Sequence, residues 1–162
     1  MRNIVTLIII IIMGANTSHA FEMDGLKSGI TMEVAKRLLE SYSYKNIKKD
    51  DHSIIASDQT SGESRLIALS FCKNKLVQVQ KHLIPRFDNF TRLVNDKRKE
   101  FGKPVDAWSE PTDVTSNFES NAVSFLWRDG PTFIKISYTE FKSNNQFDIT
   151  YAIKNICWEL PY

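Results

Sequence analysis

From Leu66 to Gln80 the chain alternates. Ile67, Leu69 and Phe71 are separated by Ala68 and Ser70; past the polar Lys73-Asn74-Lys75, Val77 and Val79 alternate with Gln78 and Gln80. Period two on both sides of a short polar turn predicts a β-hairpin with one buried face. A second hairpin is predicted over 122–138. There Val123, Phe125 and Trp127 alternate with Ala122, Ser124 and Leu126, Arg128-Asp129-Gly130-Pro131 turns, and Ile134, Ile136 and Tyr138 return. A last strand at about 147–158 keeps Ile149, Tyr151 and Ile153 in one parity, then shifts to Ile156 and Trp158. That shift predicts a bulge near Lys154-Asn155.

Helical spacing precedes each hairpin. Val34, Leu38 and Tyr42 recur at i, i+4 and i+8 behind a Thr31 N-cap, which predicts a helix over 32–43. After Pro85, the residues Phe87, Phe90, Val94 and Phe101 mark one face of a helix over 86–100, stopped by Gly102 and Pro104. Short strands are expected at 52–56 and 105–108, and turns or loops at 44–51, 57–64 and 109–120. The order helix, strand, hairpin thus occurs twice, and Ala68-Leu69-Ser70-Phe71 matches Ala122-Val123-Ser124-Phe125 at three of four positions. The pattern reads as an α+β fold of two similar helix-plus-hairpin halves, residues 21–84 and 85–162, with helices on an antiparallel sheet. Chance similarity of strand composition is the alternative to a true duplication.

The first twenty residues fall outside this pattern. Arg2 precedes the apolar run Ile4–Met13, and Ser18-His19-Ala20 supplies small residues at −3 and −1, the grammar of a cleaved signal peptide. The run is about half the ~20 residues a membrane-spanning helix needs, so cleavage after Ala20 is expected rather than anchoring. Residues 1–20 contain no cysteine for lipid attachment. The expected product begins at Phe21, is periplasmic or secreted, and carries no membrane anchor. It would hold 20 basic and 19 acidic side chains, a balance that offers no field for nucleic acid. Both cysteines, Cys72 and Cys157, lie in this part. An even count in an oxidising compartment predicts a disulfide, with two buried free thiols as the alternative.

Candidate chemistry is sparse. The sequence lacks a G-x-S-x-G elbow, an H-E-x-x-H helix, a C-x-x-C pair and a phosphate-binding glycine loop, so no catalytic residue, metal or cofactor is assigned. His52, within Asp50-Asp51-His52-Ser53, could act as a catalytic group or ligand but fits a solvated turn better, and His82 reads as an exposed structural histidine. Cys72 beside Lys73 is a weak nucleophile candidate. The carboxylate pairs Glu110/Asp113 and Glu119/Asp129 sit on expected loops. Trp108, Phe118, Trp127 and Trp158, at strand ends or in a flexible segment, are the candidate partner-binding aromatics, weighed against a simple role in capping the core.

Gly29-Ile30-Thr31-Met32-Glu33-Val34, followed by Leu38-Leu39, resembles the helix start of the SmpA/OmlA (BamE-like) outer-membrane assembly proteins, and Gly102-Lys103-Pro104 resembles their helix exit. The plan is also similar to that of the β-lactamase-inhibitory-protein-like group. The resemblance implies a tandem α+β fold and binding to another protein, and carries over no functional residue. The chain lacks the lipobox cysteine, and the two motifs fall in different halves. The expected function is that of an exported, non-catalytic protein-binding protein, as inhibitor, immunity or envelope-assembly factor, with an envelope or secreted protein as partner. A small-ligand or lipid carrier with a pocket between sheet and helices, and an unrecognised hydrolase using His52, are the alternatives.

Overall fold

Polar turns between alternating segments fold each strand back on its predecessor. The computed structural model describes residues 19–60, 63–115, 118–141 and 144–160; at 59, 60, 63, 64, 111–115, 118 and 119 it describes the backbone alone. In chain order come a small ribbon, β1 (Glu22–Met23) and β2 (Leu26–Lys27), and helix α1 (Met32–Ser41). The strands β3 (Asn46–Lys49), β4 (Ser53–Thr60), β5 (Glu63–Cys72) and β6 (Lys75–His82) follow as a meander. Helix α2 (Phe87–Phe101) leads into a second meander, β7 (Asp106–Thr115), β8 (Phe118–Asp129), β9 (Thr132–Phe141) and β10 (Gln146–Ile153). These eight strands form one antiparallel sheet in the order β3-β4-β5-β6-β10-β9-β8-β7. The last strands of the two meanders meet at its centre, with Tyr151 opposite Val79 on one side and Ile134 on the other. The expected leader, residues 1–20, lies outside the described residues except for its last two.

This architecture corrects the expected α+β arrangement of two helix-plus-hairpin halves. The protein is dominated by one eight-stranded sheet with two helices among the described residues. Segments 57–64 and 109–120, loop-like in composition, instead carry strands. Pairing runs from Ile54↔Leu69 out to Thr60↔Glu63, and from Asp106↔Leu126 out to Thr115↔Phe118. Once apolar residues set the register, backbone hydrogen bonds extend the ladder through Ser, Thr and Asp. The match between 68–71 and 122–125 falls on the third strand of one meander and the second of the other, so it marks no equivalent positions. The expected bulge at 154–155 is instead the end of β10; register shifts lie between Ser70 and Phe71, where β5 pairs with β6, and between Asp113 and Thr115, where β7 pairs with β8.

Both helices cover the same face. Thr31 Oγ1 accepts from Val34 N (3.4 Å), and Asn74 Oδ1 accepts from Met32 N (3.2 Å), so the β5–β6 turn helps cap α1. That two-residue turn places Lys73 and Asn74 at φ 49° and 58°, the left-handed geometry a tight hairpin needs. Helix α1 buries Met32, Ala35 and Leu39, and α2 buries Phe90 and Val94, in one core with Ile54, Leu69, Val79, Ile136 and Phe147. Apart from Ala35, each such side chain contributes roughly 1.5–3 kcal/mol on burial. Phe90 centres an aromatic group, 5.5 Å from Tyr138, 5.8 Å from Phe147 and 6.0 Å from Phe125 between ring centroids. At the end of α2, Gly102 turns the chain at φ 79°, and its carbonyl accepts from Trp127 Nε1 (3.1 Å). Phe21 is buried in the same core, and Ala20 before it is tied to the body, donating from N to Ser28 Oγ (2.7 Å) and accepting at its carbonyl from Thr132 Oγ1 (2.6 Å).

One ion pair is part of this core. Asp58 is 1 % exposed and receives Arg65 Nη2 at 2.8 Å; the guanidinium lies 4.9 Å from the Tyr44 ring centroid. Removing a partner from a buried carboxylate is costly because its solvation is not recovered. Arg65→Ala is expected to lower the midpoint of urea unfolding, because the buried carboxylate loses its guanidinium. Adding Asp58→Asn should recover part of that loss; a single variant as stable as wild type would show that the pair contributes nothing.

Candidate functional site

Alternation along the strands gives the sheet a second face, turned away from the helices. Ile134, Ile136 and Tyr138 of β9 point to the core, so Phe133, Lys135, Ser137 and Thr139 point the other way. The register carries this face across the strands. One row runs Trp108, Ser124, Ser137, Asp148, His82, and the next runs Leu126, Lys135, Thr150, Gln80, Ala68, Ile55. Among the described residues, neither helix packs on it. Ser124, Asp148 and Thr150 are nevertheless buried, sheltered between longer neighbours in a shallow polar trough.

Lys135 and Trp108 stand on one side of this trough. The Lys135 ammonium lies 5.4 Å from the Trp108 ring centroid, a cation–π distance. Desolvation lowers its pKa, against the opposing pull of Glu110 and Asp148. On the other side, His82 Nδ1 approaches Asp148 Oδ1 at 2.7 Å, a close ion-pair contact rather than an aligned hydrogen bond. The Asp148 carboxylate raises the His82 pKa, against the desolvation of a half-buried ring. His82 is thus a half-buried member of an ion pair, not the exposed histidine expected. Because the folded-state pKa is raised, the pair's stabilisation is full below the unfolded value near pH 6.5 and is lost as pH rises through the folded value. His82→Gln should therefore cost about 1 kcal/mol at pH 5 and progressively less toward pH 9 in urea titrations. A gap that stays constant with pH would sink this assignment.

The other expected residues disperse. Trp127 is 1 % exposed and hydrogen-bonded to Gly102, which corrects its reading as a displayed aromatic: it is a core residue. Trp108 is half-buried on the helix-free face. Phe118 begins β8, and its side chain is outside the described ones. Trp158 follows β10 and lines a shallow cleft of about 440 Å³ with Asp50, Asp51, His52, Ser53 and Ser70. The Asp50 carboxylate there accepts from Ser53 Oγ and from the backbone N–H groups of Ser53 and His52, which lower its pKa and close a local turn. His52 contributes its backbone to that turn and to Phe71 N. Glu119 and Asp129 lie ten residues apart on one strand, roughly 33 Å along the backbone, and Glu110 and Asp113 share β7; the side chains of Asp113 and Glu119 are outside the described ones.

Cys72 and Cys157 are joined by a disulfide, with Cα atoms 5.7 Å apart. Asn155 Oδ1 accepts from Cys157 N (2.9 Å) and Trp158 N (3.2 Å), turning the chain after β10 toward the end of β5. Cys72 is therefore not a nucleophile. Between sheet and helices, where a carrier's pocket was expected, the rings around Phe90 pack closely, while clefts of about 320 Å³ (Leu83, Leu93, Phe147) and about 400 Å³ (Phe21, Phe101, Ile134, Tyr151) open beside α2. Sequence reasoning missed the Asp148–His82 and Asp58–Arg65 pairs and Lys135, because each depends on which strands are neighbours. The only sequence signal was polar parity: Asp148 and Thr150 alternate with Phe147 and Ile149. Comparison with protein-family models, with curated proteins and with solved structures returns no match for this chain.

Proposed function

We propose that this chain is an exported, non-catalytic protein-binding protein that engages another envelope or secreted protein through the helix-free face of its sheet. The observation that carries this reading is a polar, hydroxyl-rich face across an eight-stranded sheet, backed by the hydrophobic core on its other side. A rigid backing lets such a face present Trp108 and Lys135 at little ordering cost. The resemblance of Gly29–Val34 to SmpA/OmlA proteins agrees with a role as assembly factor, and an inhibitor or immunity protein would use the same face.

The test is affinity capture from periplasmic extract with wild type and a Ser137→Arg variant, which plants a bulky charge in the trough. Lys36→Glu on the surface of α1 serves as control. A partner recovered by wild type and control but lost from Ser137→Arg supports the reading. No reproducible partner, or one that Ser137→Arg retains, overturns it.

A further inference from the structure

A second site lies on the helix side of the sheet, where residues 19–21 enter the fold, and its use rests on the reading of the chain as exported and cut after Ala20. His19 and Ala20 are seated there as a bound peptide would be. Ala20 N donates to Ser28 Oγ (2.7 Å), the Ala20 carbonyl accepts from Thr132 Oγ1 (2.6 Å), and His19 Nδ1 donates to the Ser28 carbonyl (2.8 Å). Both hydroxyls are enclosed: Thr132 is 1 % exposed and Ser28 6 %. The two residues line the cleft of about 400 Å³ between the end of α2 and the start of β9. Phe21 is held independently of them, by its buried ring and by Ser28 N, which donates to its carbonyl (3.0 Å).

Hydrolysis of the Ala20–Phe21 bond by a leader peptidase consumes one water, leaves a carboxylate on the departing leader and an amine on Phe21. Ser28 Oγ and Thr132 Oγ1 then lose the groups they bond, and unmatched enclosed hydroxyls are costly. The Phe21 nitrogen, 3.4 Å from Ser28 Oγ, becomes an α-ammonium at neutral pH. We infer that this vacated slot takes the carboxyl end of another polypeptide. Its small last residue replaces Ala20, its carboxylate sits between the Phe21 ammonium and the Thr132 hydroxyl, and a side chain with an N–H donor replaces His19. A free carboxylate is preferred to an amide because charge-assisted hydrogen bonds are roughly twice as strong as neutral ones. On the rim, Glu22 and Glu100 face Lys27 (3.6 Å) and Lys97 (2.7 Å), which limits their competition for the ammonium, while exposed Asp129 disfavours an acid next to the last residue. Before cleavage the chain's own His19 and Ala20 fill the slot at high effective concentration, so export and processing switch binding on.

The probe is a synthetic pentapeptide with the sequence of residues 16–20, titrated calorimetrically into the exported protein after N-terminal sequencing has read its first residue. The free-acid peptide should bind, and its carboxamide at least tenfold more weakly. Thr132→Val should weaken the acid at least fivefold and Thr132→Ser by no more than about threefold, each variant first matched to wild type in circular dichroism and thermal midpoint. A chain that starts at Asn16, and so keeps His19 and Ala20, should bind the acid at least tenfold more weakly than one that starts at Phe21. No binding of the acid, equal binding of acid and carboxamide, or tight binding by the longer chain overturns the slot and leaves the reading of the chain as exported intact. A first residue other than Phe21 overturns the processing on which the slot depends. Docking on the helix-free face does not use this slot, so the two can fail separately.

Discussion

Replacing Cys157 by serine is expected to lower the unfolding free energy by about 4 kcal/mol, a drop in thermal midpoint on the order of 10–15 °C. The bond closes a loop of 85 residues, so its removal releases a large part of the unfolded chain from constraint. Most of the effect lies in the unfolded state, where the cross-link limits conformational freedom. Two consequences separate this account from a local packing effect. Reduction by dithiothreitol should reproduce the serine variant's loss, and the urea m-value should rise, because a chain freed of its cross-link exposes more surface. Labelling of the denatured, unreduced protein should find no free thiol at Cys72 or Cys157. A loss below 1 kcal/mol with an unchanged m-value would overturn the expectation.

Trp127→Ala is expected to be equally damaging, at about 3–5 kcal/mol. The indole is 1 % exposed, so truncation leaves a cavity beneath the last turn of α2. It also removes the Nε1 hydrogen bond to the Gly102 carbonyl, one of the acceptors a helix end leaves without an intrahelical partner. Trp127→Phe separates these terms. The ring still fills much of the space, the carbonyl loses its donor, and the loss should be about 1–2 kcal/mol. If Phe and Ala variants are equally unstable, the hydrogen bond outweighs the packing. Tolerance of alanine would contradict the buried position altogether.

Much of the secondary structure was legible because local periodicity and local chemistry agree. Thr31 caps α1 where its sequence position indicates, and Gly102 ends α2. Both hairpins form around their polar turns, at Lys73-Asn74 and Gly130-Pro131. The sheet was not legible, because strand order is a long-range property. Nothing in the Ser- and Thr-rich segments 57–60 and 109–115 marks them as strand; the first pairs because buried Ile54 fixes the register upstream, and the second continues the ladder that Asp106 begins with Leu126. The candidate site failed for the same reason. Trp127 was read as a displayed aromatic because it stands near a strand end, yet its parity with Phe125 turns it to the core. His82 and Asp148 are 66 residues apart in sequence and become partners only once β6 and β10 are neighbours.

That central pairing of β6 with β10 also decides what a detached strand would expose. The first meander ends at His82, and its inner edge is covered by Gln146–Ile153, some sixty residues further along the chain. Were β10 to leave, β6 and β9 would both become open sheet edges, the kind of surface that templates misplaced strands. Cys157 lies four residues beyond β10, so the cross-link to Cys72 tethers that strand beside the first meander and guards both edges.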